Sequence, residues 1–452
     1  MYINEGRLLI RSFTDMISPE TYARYAQMPV PRYTSYPTAP NFSAGVDGTI
    51  YGSWLRSIDD SSRVSVYLHV PFCRQMCWYC ACHTTVTRRQ APVSRYVDTL
   101  VREIELVSER MRSRPTIGHL HWGGGSPTLL APADVAKLRE AVEAAFRIDH
   151  CAENAVEVDP RTLTYQLARA LGLAGVNRAS LGVQSFDPIV QQAINRVQSF
   201  STTDAAVTML RTSGIPAVNL DLIYGLPFQT VASCLDTVEH ALRLQPDRLS
   251  VFGYAHVPSF KAHQRKISEH ALPGAAERQA QASAIARALT SAGYRQIGID
   301  HFALPGDTLA VAAEQGTLRR NFQGYTTDKC ASLIGFGASA IGHLSEGFVQ
   351  NATKIPDYER RIAEGRLATV RGCMTTPEDV RRAEVIEQLM CTYRADVASV
   401  DAPLAQLEED GLIRRSGNRI EVTDEGRPLV RTVAAAFDTY LPSSTATHVT
   451  AV

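Results

Sequence analysis

The sequence predicts an α/β protein with a parallel-stranded core and a mainly helical C-terminal region. Two observations carry this. From about residue 64 to residue 255, short β-rich apolar runs alternate with helical patterns, as parallel strands joined by crossovers require. From about residue 355 the pattern becomes helical. With 452 residues, 45% of them hydrophobic and 20% charged, the chain can fill one sizeable core and flanking units.

The strands read, in order, as VSVYLHV (64–70), IGHLHW (117–122), AVEVD (155–159), RASLGV (178–183), AVNLDLI (217–223) and RLSVFGY (248–254), giving six βα units. Between the first two, Tyr96, Val97, Leu100, Val101, Ile104 and Val107 recur at helical spacing, with Ser94 as the expected N-cap. The strands end in reactive tips: HVPFC, WGGGSPT, Glu157 with Asp159, Gln184, Asp221 within the fifth strand, and Tyr254-Ala255-His256. In β/α barrels the C-terminal strand ends build the active site, so these residues have a structural reason to converge.

Residues 1–60 carry PRYTSYPTAP and predict an ordered arm without a core of its own; residues 61–350 form the βα core with an extension. That extension holds one further strand-like run, YRQIGIDHFAL, and the glycine-rich LIGFGASAIGH. Residues 351–452 form the third region, where Thr376-Pro377-Glu378 should cap a helix near 378–392. LAQLEEDGLIRRSGNRIEVTDEGRPLVRTVAAAF then reads helix, short hairpin, helix, a winged-helix-like unit.

Forty-six basic residues balance forty-six acidic ones, so no overall field favours nucleic acid or a membrane surface. MYINEGRLLIRSF has no apolar targeting core, and no uninterrupted apolar stretch is long enough to span a bilayer. A cytoplasmic location is expected. In a reducing compartment a tight cysteine cluster reads as metal-binding or catalytic before it reads as disulfides.

That cluster is CRQMCWYCACHT (73–84), four of nine cysteines in ten positions. Structural zinc sites use paired knuckles, and no second pair exists. A redox dithiol would use Cys77 and Cys80 and leave two cysteines unexplained. Iron–sulfur clusters remain: Cys73, Cys77 and Cys80 can hold a [4Fe–4S] cube with one iron open to a chelating ligand. Cys82 as a fourth ligand would instead close the cluster for electron transfer, although Cys-Ala-Cys makes capping one cube geometrically hard. Cys151, Cys234, Cys330, Cys373 and Cys391 are scattered and read as small apolar residues.

The C-x3-C-x2-C loop after the first strand resembles the radical S-adenosylmethionine superfamily, which implies a partial (β/α)6 barrel. It also implies a [4Fe–4S] cluster whose open iron binds S-adenosylmethionine and yields a 5′-deoxyadenosyl radical. Over almost the whole chain the sequence resembles the oxygen-independent coproporphyrinogen III oxidases. The matching motifs are PRYTSYPTA, YLHVPFC, LHWGGGSPT, EVDPR, LGVQSF, NLDLIYGLP, RLSVFGYAHVP, DHFA, RNFQGYTT and FDTYL. The resemblance implies an anaerobic haem-pathway enzyme that converts two propionates of coproporphyrinogen III to vinyls. It would use an external electron donor and acceptor, and a monomer is expected.

By the same resemblance Cys73, Cys77 and Cys80 ligate the cluster, while Tyr67, Gly124, Glu157 and Ile341 contact its S-adenosylmethionine. A second S-adenosylmethionine is expected at Tyr79, Gly125, Ser126, Gln184, Arg196, Asp221 and Ala255. Cys82, Phe322 and Gln323 are expected near the reaction. Arg32, Arg265, Lys266, Arg319 and Arg320 are candidates for the propionates. Three positions depart from the family pattern: Ala81 for glycine, Ser126 for threonine, and Leu304 where a cation is expected. The rival is a related haem-handling protein or haem chaperone. The PRYTSYPT arm and Cys82, which haem chaperones of the superfamily generally lack, favour the oxidase. A non-catalytic electron carrier would need four ligands and no nucleotide pocket.

Overall fold

The computed structural model describes residues 17–441. MYINEGRLLIRSF, on which the targeting argument rests, lies outside them. Six strands pair successively in parallel: Arg63–Val70 (β1), Thr116–Gly124 (β2), Arg147–Val158 (β3), Arg178–Gln184 (β4), Ala217–Tyr224 (β5) and Arg248–Gly253 (β6). All six expected strands are present, with β3 starting well before Ala155. β1 is buried along almost its whole length, as a parallel strand covered on both faces must be.

YRQIGIDHFAL is two strands, Arg295–Ile297 (β7) and His301–Ala303 (β8), antiparallel to each other and broken at Gly298, whose φ is +57°. β8 pairs antiparallel with β6. On the opposite flank Ser332–Phe336 (β9) lies parallel to β1. An antiparallel series follows: Ile341–Leu344 (β10), Gly347–Asn351 (β11) and Thr369–Met374 (β12). The order is β12-β11-β10-β9-β1-β2-β3-β4-β5-β6-β8-β7, an open sheet with two edges. Its last strand lies beyond residue 350, so the sheet overruns the boundary expected there.

The first crossover helix is Ala91–Met111, and Tyr96, Val97, Leu100, Ile104 and Val107 are buried on the sheet, Val101 partly so. It does not begin at Ser94. A proline in the first turn starts it earlier, and the Ser94 hydroxyl donates to Asp134 Oδ2 (3.1 Å). The helix Pro377–Thr392 begins as expected, capped by Thr376 with Asp379 bonding back to the Thr376 N–H.

Beyond it come a strand (Arg394–Asp396), a helix (Ala405–Glu409), a hairpin (Ile413–Ser416, Arg419–Val422) and a final helix (Val430–Ala435). The arm divides between two cores. The helix Gly48–Leu55 buries Tyr51, Trp54 and Leu55 in the main core, whereas Tyr25, Tyr33 and Tyr36 pack with Leu389, Ile420 and Phe437. Among the described residues no helix is long and apolar enough to cross a membrane.

Candidate active site

The cysteine loop leaves β1 through Pro71 and is fastened on several sides. Phe72–Cys73 pairs in parallel with Thr85–Val86. The Trp78 N–H donates to Ile194 O (2.9 Å), and Asn195 Nδ2 to Met76 O (2.8 Å). From the segment after β6, Gln264 Nε2 donates to Tyr79 O (2.9 Å), His263 Nε2 to Cys80 O (2.6 Å) and Lys261 Nζ to Cys82 O (3.2 Å). A loop so bonded holds its thiols without an ion in place.

Each predicted ligand thiol has its own donor. Cys73 Sγ accepts from Thr84 Oγ1 (3.2 Å), buried Cys77 Sγ from Arg161 and Arg196 (each 3.6 Å), and Cys80 Sγ from the Cys82 N–H (3.4 Å). Burial pushes the Cys73 thiol up to about 11, whereas a hydrogen bond from the Cys82 thiol, aided by the Cys82 N–H, brings Cys80 down to about 7. The thiol–thiol bond in turn raises Cys82, which sits exposed on the rim. All four are free of disulfides. Three thiols on a prefastened loop, with donors to each sulfur, suit a cluster held by three ligands.

Beside the loop runs the triple glycine at the end of β2. A methyl group on Gly125 would stand 2.6 Å from Phe72 O and Thr84 Oγ1, and one on Gly124, whose φ is +112°, would strike the His69 ring. Side chains are therefore excluded where this backbone approaches the cysteine loop. Glu157 accepts from the Gly124 N–H (2.9 Å) and from His121 (3.3 Å). Burial raises this carboxyl, but His121, the Gly124 N–H and His69 outweigh it, leaving it below the ordinary carboxylate value. The Tyr67 hydroxyl meets His69 Nδ1 (3.0 Å) and its ring stacks on His121. Half-buried Ile341 opens β10, its carbonyl against Gly335.

The residues expected around a second S-adenosylmethionine fall in four places. Tyr79, Gln184 and Arg196 gather at Cys77, with Gln184 at φ +70°. Arg196, far from being a surface residue, is buried; it donates to Gly182 O (2.6 Å), lies 3.6 Å from Asp159 and leaves its Nε without a partner. Gly125 and buried Ser126 border the cysteine loop. Asp221, half-buried, accepts from Ser180 Oγ (2.9 Å) and Asn219 Nδ2 (2.8 Å), and burial raises it to about 6. It lines an inner cavity of about 230 Å³ with Glu157 and Gln323, while Ala255 borders a separate outer cavity.

Gln323 and Phe322 form the tip of the hairpin Arg319–Asn321 and Gly324–Thr326. Only Gln323 lines the inner cavity; Phe322 packs on Phe348. Sequence reasoning missed the supports. Arg161 and His121 lie inside quoted motifs, EVDPR and LHWGGGSPT, but their roles emerge only from contacts. Lys261, His263 and Gln264 sit in a loop without a recognisable pattern.

Fold and site together define a radical S-adenosylmethionine protein, and the superfamily's family model matches residues 67–241. Membership implies a [4Fe–4S] cluster and S-adenosylmethionine as cofactors. The chain belongs to the oxygen-independent coproporphyrinogen III oxidase family. It is 54% identical to the enzyme of that name from Bradyrhizobium diazoefficiens over 95% of this chain and 98% of the relative. It is 41% identical to that of Pseudomonas aeruginosa over 91% and 94%. Among solved structures, the coproporphyrinogen III oxidase of Escherichia coli, described as a radical SAM enzyme, superposes with a TM-score of 0.85 at 37% identity, covering 90% of this chain and 97% of that one.

Proposed function

We propose that this chain catalyses the anaerobic oxidative decarboxylation of coproporphyrinogen III to protoporphyrinogen IX in haem synthesis, turning two propionates into vinyls. The observation that carries this is the 54% identity across nearly both full lengths, in a chain that keeps Cys82 beside its three-cysteine set. When bound, the cluster and S-adenosylmethionine supply the one-electron chemistry that produces a hydrogen-abstracting radical. Each propionate loses a hydrogen atom, then CO2, and gives one electron to an acceptor.

The chain's own residues hold and orient. Cys73, Cys77 and Cys80 are the ligands, with Arg161 and Arg196 offsetting the charge on Cys77. Tyr67, Gly124, Glu157 and Ile341 hold the first S-adenosylmethionine. Tyr79, Gly125, Ser126, Gln184, Arg196, Asp221 and Ala255 hold a second, and Cys82, Phe322 and Gln323 act near the substrate. The spread of the second set over two cavities means that its ligand would lie along the strand tips. An external electron donor and acceptor, a cytoplasmic location and a monomeric state belong to the same reading, as does a division into arm, core and C-terminal unit.

Anaerobic assay with coproporphyrinogen III and mass spectrometry for two CO2 losses tests the activity. S-adenosylmethionine cleavage without vinyl product, despite a full cluster, a reductant and an acceptor, refutes it. Cys73→Ser, Cys77→Ser and Cys80→Ser should each lose the cluster by iron content and electron paramagnetic resonance. Cys82→Ser should keep the cluster and lose decarboxylation; its losing the cluster as well would overturn the ligand assignment. Asp221→Ala should bind S-adenosylmethionine roughly ten- to a hundredfold more weakly at unchanged iron content. Arg196 is a less clean probe because it touches Cys77.

A further inference from the structure

The outer cavity, of about 850 Å³, is larger than the inner one and is enclosed by three parts of the chain. The arm contributes Tyr22 and Arg32. The core contributes the turn after β6, Arg278 from the helix Ala275–Ser291, and Arg320 from the hairpin. The C-terminal unit contributes Arg427 and Arg431. Five arginines thus face two aspartates. Both aspartates are engaged: Asp300 bonds His301 (2.6 Å), and Asp424 pairs with Arg427 (3.0 Å).

Among the described residues Arg278 has no hydrogen-bond acceptor and no carboxylate within 4.0 Å, and its Nε is sealed from solvent without a partner. It lies against the backbone of Gly225 and Gly253, and a methyl on either glycine would stand 3.3 Å from its guanidinium. Arg320 is similar. Among the described residues its side chain donates only to Arg32 O (3.2 Å) and lies over the Tyr325 ring, while Nε and Nη1 are buried and unpaired. Glu387, the nearby carboxylate, is taken by Arg319 (3.0 Å) and by the Arg320 backbone N–H (3.1 Å). Burial lowers the guanidinium of Arg278, and burial together with Arg32 brings that of Arg431 to about 10.

Desolvated cations without acceptors cost stability unless something else satisfies them, and a polycarboxylate would do so. Phe252, Ile299, Phe302 and Tyr254 offer aromatic and apolar wall between the arginines. The partition to the inner cavity is thin: Phe252 lines both, and the bonded pair Asp300–His301 has one member in each.

We infer that the outer cavity is the docking site for the carboxylates of the tetrapyrrole substrate, with Arg278 and Arg320 as the forks that grip them. A side chain due to react then crosses at Phe252 toward the inner cavity. The inference rests on the activity proposed above and supplies residues for it. Of the earlier propionate candidates it retains Arg32 and Arg320. It sets aside Arg319, which is committed to Glu387, and Arg265 and Lys266, which lie outside both cavity walls.

Quenching of protein fluorescence by coproporphyrin III, the stable oxidised form of the substrate, measures binding to reconstituted protein. Arg278→Gln and Arg320→Gln should each raise Kd at least tenfold, Arg278→Lys less, and Arg319→Gln not at all. The tetramethyl ester, which has no carboxylates, should bind wild type and Arg278→Gln alike. Unchanged Kd for coproporphyrin III in both glutamine variants, with native circular dichroism and iron content, overturns the inference even if wild type makes vinyl product. Wild type that binds coproporphyrin III through Arg278 and Arg320 yet makes no vinyl product would sink the proposed activity and leave the docking site standing.

Discussion

The two cavities share the Phe252 wall but handle charge in opposite ways. Around the inner one, each arginine has a carboxylate: Arg248 with Asp307 (2.6 Å), Arg178 with Glu153 (3.0 Å) and Asp307 (3.2 Å). Around the outer one, Arg278 and Arg320 have none among the described residues. A paired charge is scaffolding that fixes strand tips before any ligand arrives. An unpaired one is held in readiness, and the free protein bears the desolvation cost.

If that contrast is right, removing the same charge should have opposite consequences in the two places. Arg248→Met strands Asp307 and Glu153 in a buried setting and should destabilise the fold by roughly 3 kcal/mol, with Arg178 softening the loss. Arg278→Met should leave the melting temperature of the free protein unchanged or slightly higher, because no partner is stranded. Equal destabilisation in paired thermal melts would abolish the distinction.

A smaller effect concerns Asp221, the inner-cavity carboxyl that burial lifts from 3.8 to about 6. Its folded value lies above its unfolded one, so its contribution to stability is full below about pH 4 and is lost as pH rises through 6. The shift is equivalent to about 3 kcal/mol, which the carboxyl's partial exposure reduces, so Asp221→Asn should gain about 2 kcal/mol at pH 7.5 and little near pH 4. A pH-independent difference in melting would show that the carboxyl is not desolvated.

The smallest effect belongs to Leu304. It follows β8 at 37% exposure, donates its N–H to Asp247 O (3.0 Å) and lines neither cavity. Leu304→Arg should shift stability by less than about 0.5 kcal/mol and activity on coproporphyrinogen III by no more than about twofold. A large gain of vinyl product would mean that the cation expected there acts on the substrate after all.

What could be read from sequence follows from how local each cause is. Six parallel strands announce themselves because burial on both faces demands unbroken β-rich apolar runs, and the cysteine loop because its ligands lie within eight residues of one another. Ser94 misled because Pro92 already starts the helix. One expected strand became β7 and β8 because Gly298 turns left-handed. β12 was missed because its partner β11 lies beyond a helix. The support of the cysteine loop by Lys261, His263 and Gln264 is invisible in sequence, since the contact spans some 180 positions. Arg278 sits in AAERQAQAS, which reads as an ordinary solvated helix face; only the fold reveals that its guanidinium lacks an acceptor.

The arm's tyrosines have a further consequence for how the enzyme is born. Tyr33 donates to Asp438 and Tyr25 to Asp410, contacts separated by 405 and 385 positions. A chain emerging from the ribosome N-terminus first must keep these tyrosines of the arm unsatisfied until the C-terminal unit has been made. The outer cavity, walled by both arm and C-terminal unit, then forms only after the sheet and the cysteine loop can have formed. A prematurely terminated chain could complete its sheet and cysteine loop yet have no place to seat a tetrapyrrole, so radical chemistry and substrate capture mature at different moments of synthesis.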